Sequence, residues 1–149
     1  TSEPYSKSKY VYEQLNDKIC FVAYSQEDAK SGIGYFGISS PFVESSMIGR
    51  FTNTLIIMMG CEGLYNPLMA KAFVEKGAKV YISWNKSVSA SHTDLATTHL
   101  LQTLLIEKQT INQAVEHTMK EVGPDPAKNS TLVYYPLEVR DQTIEDMGN

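Results

Sequence analysis

Cys61 follows the apolar run Thr54-Leu55-Ile56-Ile57-Met58-Met59 and lies in a glycine-flanked turn, Gly60-Cys61-Glu62-Gly63. Six residues without polar alternation read as a strand buried on both faces. A strand that stops on Gly-Cys pushes a thiol out at the carboxyl edge of a sheet, where open α/β folds carry their ligand sites. The helix expected after the turn offers free N–H groups and a positive dipole end, which favour thiolate over thiol. Attack on a carbonyl also needs a base and donors for the developing oxyanion. Backbone N–H groups of the turn Gly60-Cys61-Glu62-Gly63 fit the second role, because glycines let a chain approach a ligand closely. A buried core thiol is the other reading, since cysteine is among the most buried residue types. Spacing alone leaves both standing.

A second candidate surface is the stretch from Trp84 to Asp94, through Asn85, Lys86, Ser87 and His92. In a parallel sheet it emerges beside the Cys61 turn, with an aromatic wall, small hydroxyls and acidic groups. Glu62, Trp84, Asn85, Ser87 and Asp94 are therefore the candidate substrate-binding residues. Ser91 and Asp94 equally fit a helix start, in which case Asp94 only caps.

The elements that must hold these groups follow from periodicity. Residues 6–15 suit a short helix. Residues 18–24 and 33–38 suit two strands of a hairpin, with Cys20 as a small core residue. Asn66-Pro67 starts a helix that Gly77 closes, and residues 79–84 form the next strand. Ser91 opens a helix over about 92–108 burying Leu95, Leu101, Leu104 and Leu105. Thr110 with Gln113 opens another, stopped by Gly123-Pro124. Residues 132–135 are the last strand, and the polar tail after Pro136 is expected to fray. Strands alternating with helices mean an α/β sheet covered by helices. The expected divisions are a hairpin segment over 1–50, a core over 51–136 and a tail over 137–149.

The chain has 149 residues, enough for one domain with a core, and its net charge of −4 with scattered basic residues argues against a nucleic-acid partner. Two cysteines and three histidines make neither a disulfide scaffold nor a structural zinc site. No cofactor or metal is called for, and no stretch is long and apolar enough to span a bilayer. With Thr1 in first place, the sequence reads as a piece of something longer.

Taken together, residues 55–63, the block Met69-Ala70-Lys71-Ala72-Phe73-Val74-Glu75-Lys76-Gly77-Ala78 and the strand-loop Val80-Tyr81-Ile82-Ser83-Trp84 resemble the caspase-like cysteine peptidases, which include caspases, gingipains, legumains and clostripains. The resemblance covers roughly residues 50–135. It implies a three-layer αβα sandwich with a mostly parallel sheet, incomplete in this chain, and a cysteine endopeptidase with Cys61 as nucleophile. The Cys61 N–H would help hold the oxyanion, and residues 83–89 would form the specificity pocket with Trp84 as a wall. The family's base is a histidine before the cysteine, about 50 residues upstream in caspases. No histidine lies between Thr1 and Gly60. The expected partners are thus a polypeptide substrate and an N-terminal segment or chain of the same precursor that carries the histidine. The alternatives are a catalytically inactive binding or assembly module on the same scaffold and, more distantly, an acyltransferase or amidase with His92 as base.

Overall fold

Short apolar stretches punctuated by Gly, Pro and Ser give this chain short elements, which the computed structural model describes over residues 2–148. They gather into two units, Thr1–Gly49 and Arg50–Asn149.

The first unit holds α1 (Val11–Leu15), β1 (Ile19–Val22), α2 (Gln26–Lys30), β2 (Tyr35–Ile38) and α3 (Ser40–Ser45). β1 and β2 form the expected antiparallel hairpin, Ile19 opposite Ile38 and Val22 opposite Tyr35. Its connection carries α2, started by Ser25, whose hydroxyl accepts the Asp28 N–H at 3.0 Å. Ile19 and Phe36 are buried. Tyr5 packs against Phe21 and Phe36 at ring separations of 5.2 and 5.1 Å. Cys20 is not a core residue: strand alternation turns it away from Ile19, and it is exposed.

The second unit holds β3 (Thr54–Met58), α4 (Leu68–Glu75), β4 (Ala78–Trp84), α5 (Ala90–Leu101), α6 (Ile111–Glu121), β5 (Leu132–Tyr135) and α7 (Ile144–Met147). A π-helical turn, Gln102–Ile106, extends α5, and a 3-10 turn, Leu137–Val139, follows β5. The strand order is β3-β4-β5. β3 pairs parallel to β4 across the α4 crossover, and β5 pairs antiparallel to β4. The chain is therefore mixed α/β with a mixed three-stranded sheet, rather than a mostly parallel one.

β4, not β3, is the strand buried on both faces. Val80, Ile82 and Trp84 face a core built from Ala96 and Leu100 of α5, Leu104, and Ile111, Ala114 and Val115 of α6. Tyr81 faces the other way and stacks on Phe73 of α4 at 5.8 Å. β3 is an edge strand and only half-buried.

Local signals set several boundaries. Asn66 accepts the Leu68 N–H at 3.1 Å and so starts α4. Gly77 follows it with φ +106°, a conformation open to glycine. Thr110 and Gln113 make the reciprocal capping box at α6. Other expectations fail for packing reasons. α5 starts after Ser89 rather than Ser91. Its inward residues are Ala96, Leu100 and Leu104, while Leu95 and Leu105 are more than half exposed. The segment after Pro136 is not a loose tail, because Val139 and Met147 are buried in the core.

The phase of α5 makes a direct prediction. Leu100→Ala is expected to cost about 2–5 kcal/mol in denaturant unfolding, whereas Leu95→Ala stays within about 0.5 kcal/mol of wild type. Equal losses would place the helix in the wrong rotation.

Candidate functional site at the carboxyl edge of the sheet

The position of Cys61 is fixed by hydrogen bonds that tie the end of β3 to β4 and α5. The Ser83 hydroxyl donates to the Met58 carbonyl. The Trp84 indole N–H donates to Thr93 Oγ1 at 2.9 Å, and that hydroxyl donates to the Met59 carbonyl at 3.0 Å. Past Gly60 the chain turns back along the residues that follow β4. Glu62 N–H donates to the Lys86 carbonyl at 3.0 Å, and Leu64 N–H donates to the Trp84 carbonyl at 2.9 Å. Glu62 takes φ +59° to make this turn, an uncommon conformation for a residue with a side chain.

Cys61 is exposed, so the core-thiol reading does not hold for it. Its Sγ lies 3.4 Å from both the Val88 nitrogen and the Val88 oxygen. As a thiol it donates to the carbonyl and accepts from the N–H. As a thiolate it keeps only the N–H contact. Glu62 and Leu64 spend their N–H groups within the loop pair, whereas those of Cys61 and Gly63 donate to no protein group among the described residues.

The two loops meet at one edge, and the anticipated residues divide between them. Gly60, Cys61, Glu62 and Ser87 come together, with the Ser87 hydroxyl donating to Glu62 Oε1 at 3.0 Å. Trp84 does not wall a pocket: it ends the central strand on the core side and has no exposed surface. Asn85 spends its side-chain amide inside the protein, donating to Thr131 Oγ1 at 2.8 Å and accepting the Thr131 N–H at 2.9 Å. Asp94 is exposed on α5, and its carboxylate takes no part in these hydrogen bonds.

Among the described residues no imidazole partners the sulfur. His92 Nε2 sits 3.0 Å from the Gly123 carbonyl, with the ring 5.5 Å from that of Trp84. His99 Nδ1 lies 3.1 Å from Thr118 Oγ1. His117 Nδ1 lies 3.1 Å from Gln109 Nε2. α4 begins at Leu68, one residue past the expected Pro67, so the turn from Glu62 to Pro67 separates its N-terminus from Cys61 in the chain. Among the described residues no group of three or more His, Cys, Asp or Glu is arranged to hold a metal.

Two supports escaped the sequence reading. Gly63, not Gly60, is the glycine that close packing requires. A methyl group there would meet the Ser83 hydroxyl, while one on Gly60 would meet nothing within 4 Å. Asp125 is the second. Only 1% exposed, it accepts the Ser89 hydroxyl at 2.6 Å and the Ser89 N–H at 2.8 Å on one oxygen. The other oxygen accepts the N–H groups of Ala127 and Lys128 at 2.9 and 2.8 Å. The Ser89 hydroxyl, then the Ser89 N–H, hold this carboxyl well below the usual carboxylate range, against the opposing effect of burial. The one sequence signal was an Asp between two prolines, where side chains commonly bond the backbone two residues on.

Gly63→Ala is expected to destabilise by about 1–3 kcal/mol through overpacking, with Gly60→Ala near neutral; thermal melts of both variants separate the cases. Asp125 makes a pH-dependent contribution. It is complete above the ordinary carboxyl value of 3.8 and is lost as pH falls below that value toward the depressed folded one. Asp125→Asn should therefore be less stable than wild type at neutral pH, with the gap closing under acid. A gap that stays constant from neutral to acid pH would contradict the ionised, hydrogen-bonded carboxylate.

No family model, curated protein or solved structure matches this chain.

Proposed function

We propose that the Arg50–Asn149 unit carries the nucleophile of a cysteine endopeptidase of caspase-like type, completed by a histidine from sequence outside residues 1–149. The observation that carries this reading is the exposed Cys61 sulfur at the carboxyl edge of the β3–β4 pair, 3.4 Å from a backbone N–H donor. In the proposed reaction the imidazole takes the thiol proton and sulfur attacks the peptide carbonyl carbon. The S–C bond forms and the oxygen becomes an oxyanion, for which the N–H groups of Cys61 and Gly63 are the candidate donors. Collapse breaks the C–N bond, the imidazolium protonates the departing amine, and water then cleaves the thioester. Glu62, Lys86 and Ser87 belong to the two loops that meet beside Cys61 and are the proposed substrate contacts.

A second reading is a binding or assembly module without catalysis. The observation that favours it is that His92, His99 and His117 each have a ring nitrogen engaged elsewhere.

A peptide-library screen on the full-length parent protein and its Cys61→Ala variant separates the two. The peptidase reading predicts cleavage that falls by about 10³-fold or more in kcat/KM on substitution. Cleavage that survives the substitution, or a parent protein that cleaves nothing while retaining partner binding, favours the module.

A further inference from the structure

The Thr1–Gly49 unit contains a solvent-open cavity of about 300 Å³ lined by Glu3, Tyr10, Glu13, Ile19, Phe36, Ile38 and Phe42. It combines a continuous apolar and aromatic wall with two carboxylates and, among the described residues, no basic lining residue. Ile19 and Phe36 form the buried part, while Tyr10 and Ile38 stand at the opening with close to half their surface exposed. The Tyr10 ring is locked in place. It packs edge-on against Phe36 at 5.3 Å, and its hydroxyl donates to Glu3 Oε2 at 3.1 Å. Its backbone has φ 53°, which a bulky side chain adopts only when its surroundings enforce it.

One cation already shows what the rim prefers. The Lys9 ammonium pairs with Glu3 and lies 5.2 Å from the centre of the Tyr10 ring. That is the ion-pair and cation–π geometry by which aromatic cages hold organic cations. Lys9 lies on the exposed surface beside the cavity and is not among the residues lining it, so its aliphatic stem forms no part of the apolar wall. A ligand that presents a positive head to Tyr10, Glu3 and Glu13 and an alkyl stem to Ile19, Phe36, Ile38 and Phe42 satisfies both halves of the site.

We propose that this cavity binds an alkylammonium group, its stem on the Phe36–Phe42 wall and its head displacing Lys9 from Tyr10 and Glu3. Two sources share this chemistry, a free amine and the lysine side chain of a polypeptide. A neutral hydrophobe fills the wall but makes no charge contact with Glu13 or Glu3, and an anion has no basic lining residue among those described to meet it. The site is independent of the Cys61 reading.

The test is NMR titration of the full chain, following the ring signals of Tyr10 and Phe36. The probes are n-butylammonium, its neutral isostere n-pentanol, and a capped peptide with one internal lysine. Saturable binding of the cations with much weaker binding of n-pentanol is expected. Glu13→Gln keeps shape and removes charge, and should weaken cation binding about two- to fivefold, the size of an exposed charge contact. Lys9→Met removes the internal competitor and should tighten binding. Tighter binding of the peptide than of butylammonium assigns the site to a polypeptide lysine, and the reverse assigns it to a free amine. Cys61→Ala should change none of these values. The proposal is overturned if n-pentanol binds as well as butylammonium, if no probe binds saturably, or if Lys9→Met weakens binding in a chain whose spectrum is otherwise intact.

Discussion

A fully buried indole N–H must find an acceptor, and the way Trp84 finds one organises the candidate site. Burying Trp84 secures the core face of β4 but leaves a donor that is costly to strand away from water. Thr93 accepts it, and the same hydroxyl donates to the carbonyl of Met59. One hydroxyl thereby links the central strand, the first turns of α5 and the chain just before Cys61. Because Gly60 alone separates Met59 from the cysteine, the sulfur inherits its position from the packing of the core rather than from a free loop.

The rest of the edge is built in the same manner, by backbone groups that satisfy one another. The turn after Cys61 shares two N–H to carbonyl bonds with the end of β4 and the residues just past it, at Leu64–Trp84 and Glu62–Lys86. From the other side, Ser130 and Thr131 brace Asn85 and Lys86. Asp125 anchors Ser89 at the start of α5 by accepting two hydrogen bonds on one oxygen, while its other oxygen accepts the N–H groups of Ala127 and Lys128. A loop held this way resists rearrangement, which suits a centre whose reacting atoms must be pre-positioned. The same rigidity limits which residues face outward. Trp84 and Asn85 are framework, whereas Cys61, Glu62 and Lys86 are exposed and Ser87 is partly so.

What the sequence disclosed was local. β5, the Thr110–Gln113 capping box and the glycine after α4 are each specified by residues a few positions apart, and each stands where periodicity and turn chemistry indicate. The edge location of Cys61 was legible for the same reason. What the sequence concealed depends on partners distant in the chain. The rotation of α5 is chosen by the β4 face it meets, and leucines on several sides of the helix give no single stripe to read. Ser89 and Asp125 are 36 residues apart, so neither announces the other. Cys20 lies in an apolar run as convincing as that before Cys61. Yet a four-residue strand in a two-stranded sheet buries only part of such a run.

The central claim is that Cys61 is a positioned nucleophile and not simply an accessible thiol. Cys20 provides an internal standard, because both sulfurs are exposed. The decisive measurement is site-resolved labelling of the intact protein with limiting iodoacetamide, read by peptide mass spectrometry. The account predicts that Cys61 is modified at least about tenfold faster than Cys20, as expected for a sulfur held beside a backbone N–H donor. Equal rates, or faster modification of Cys20, would contradict it.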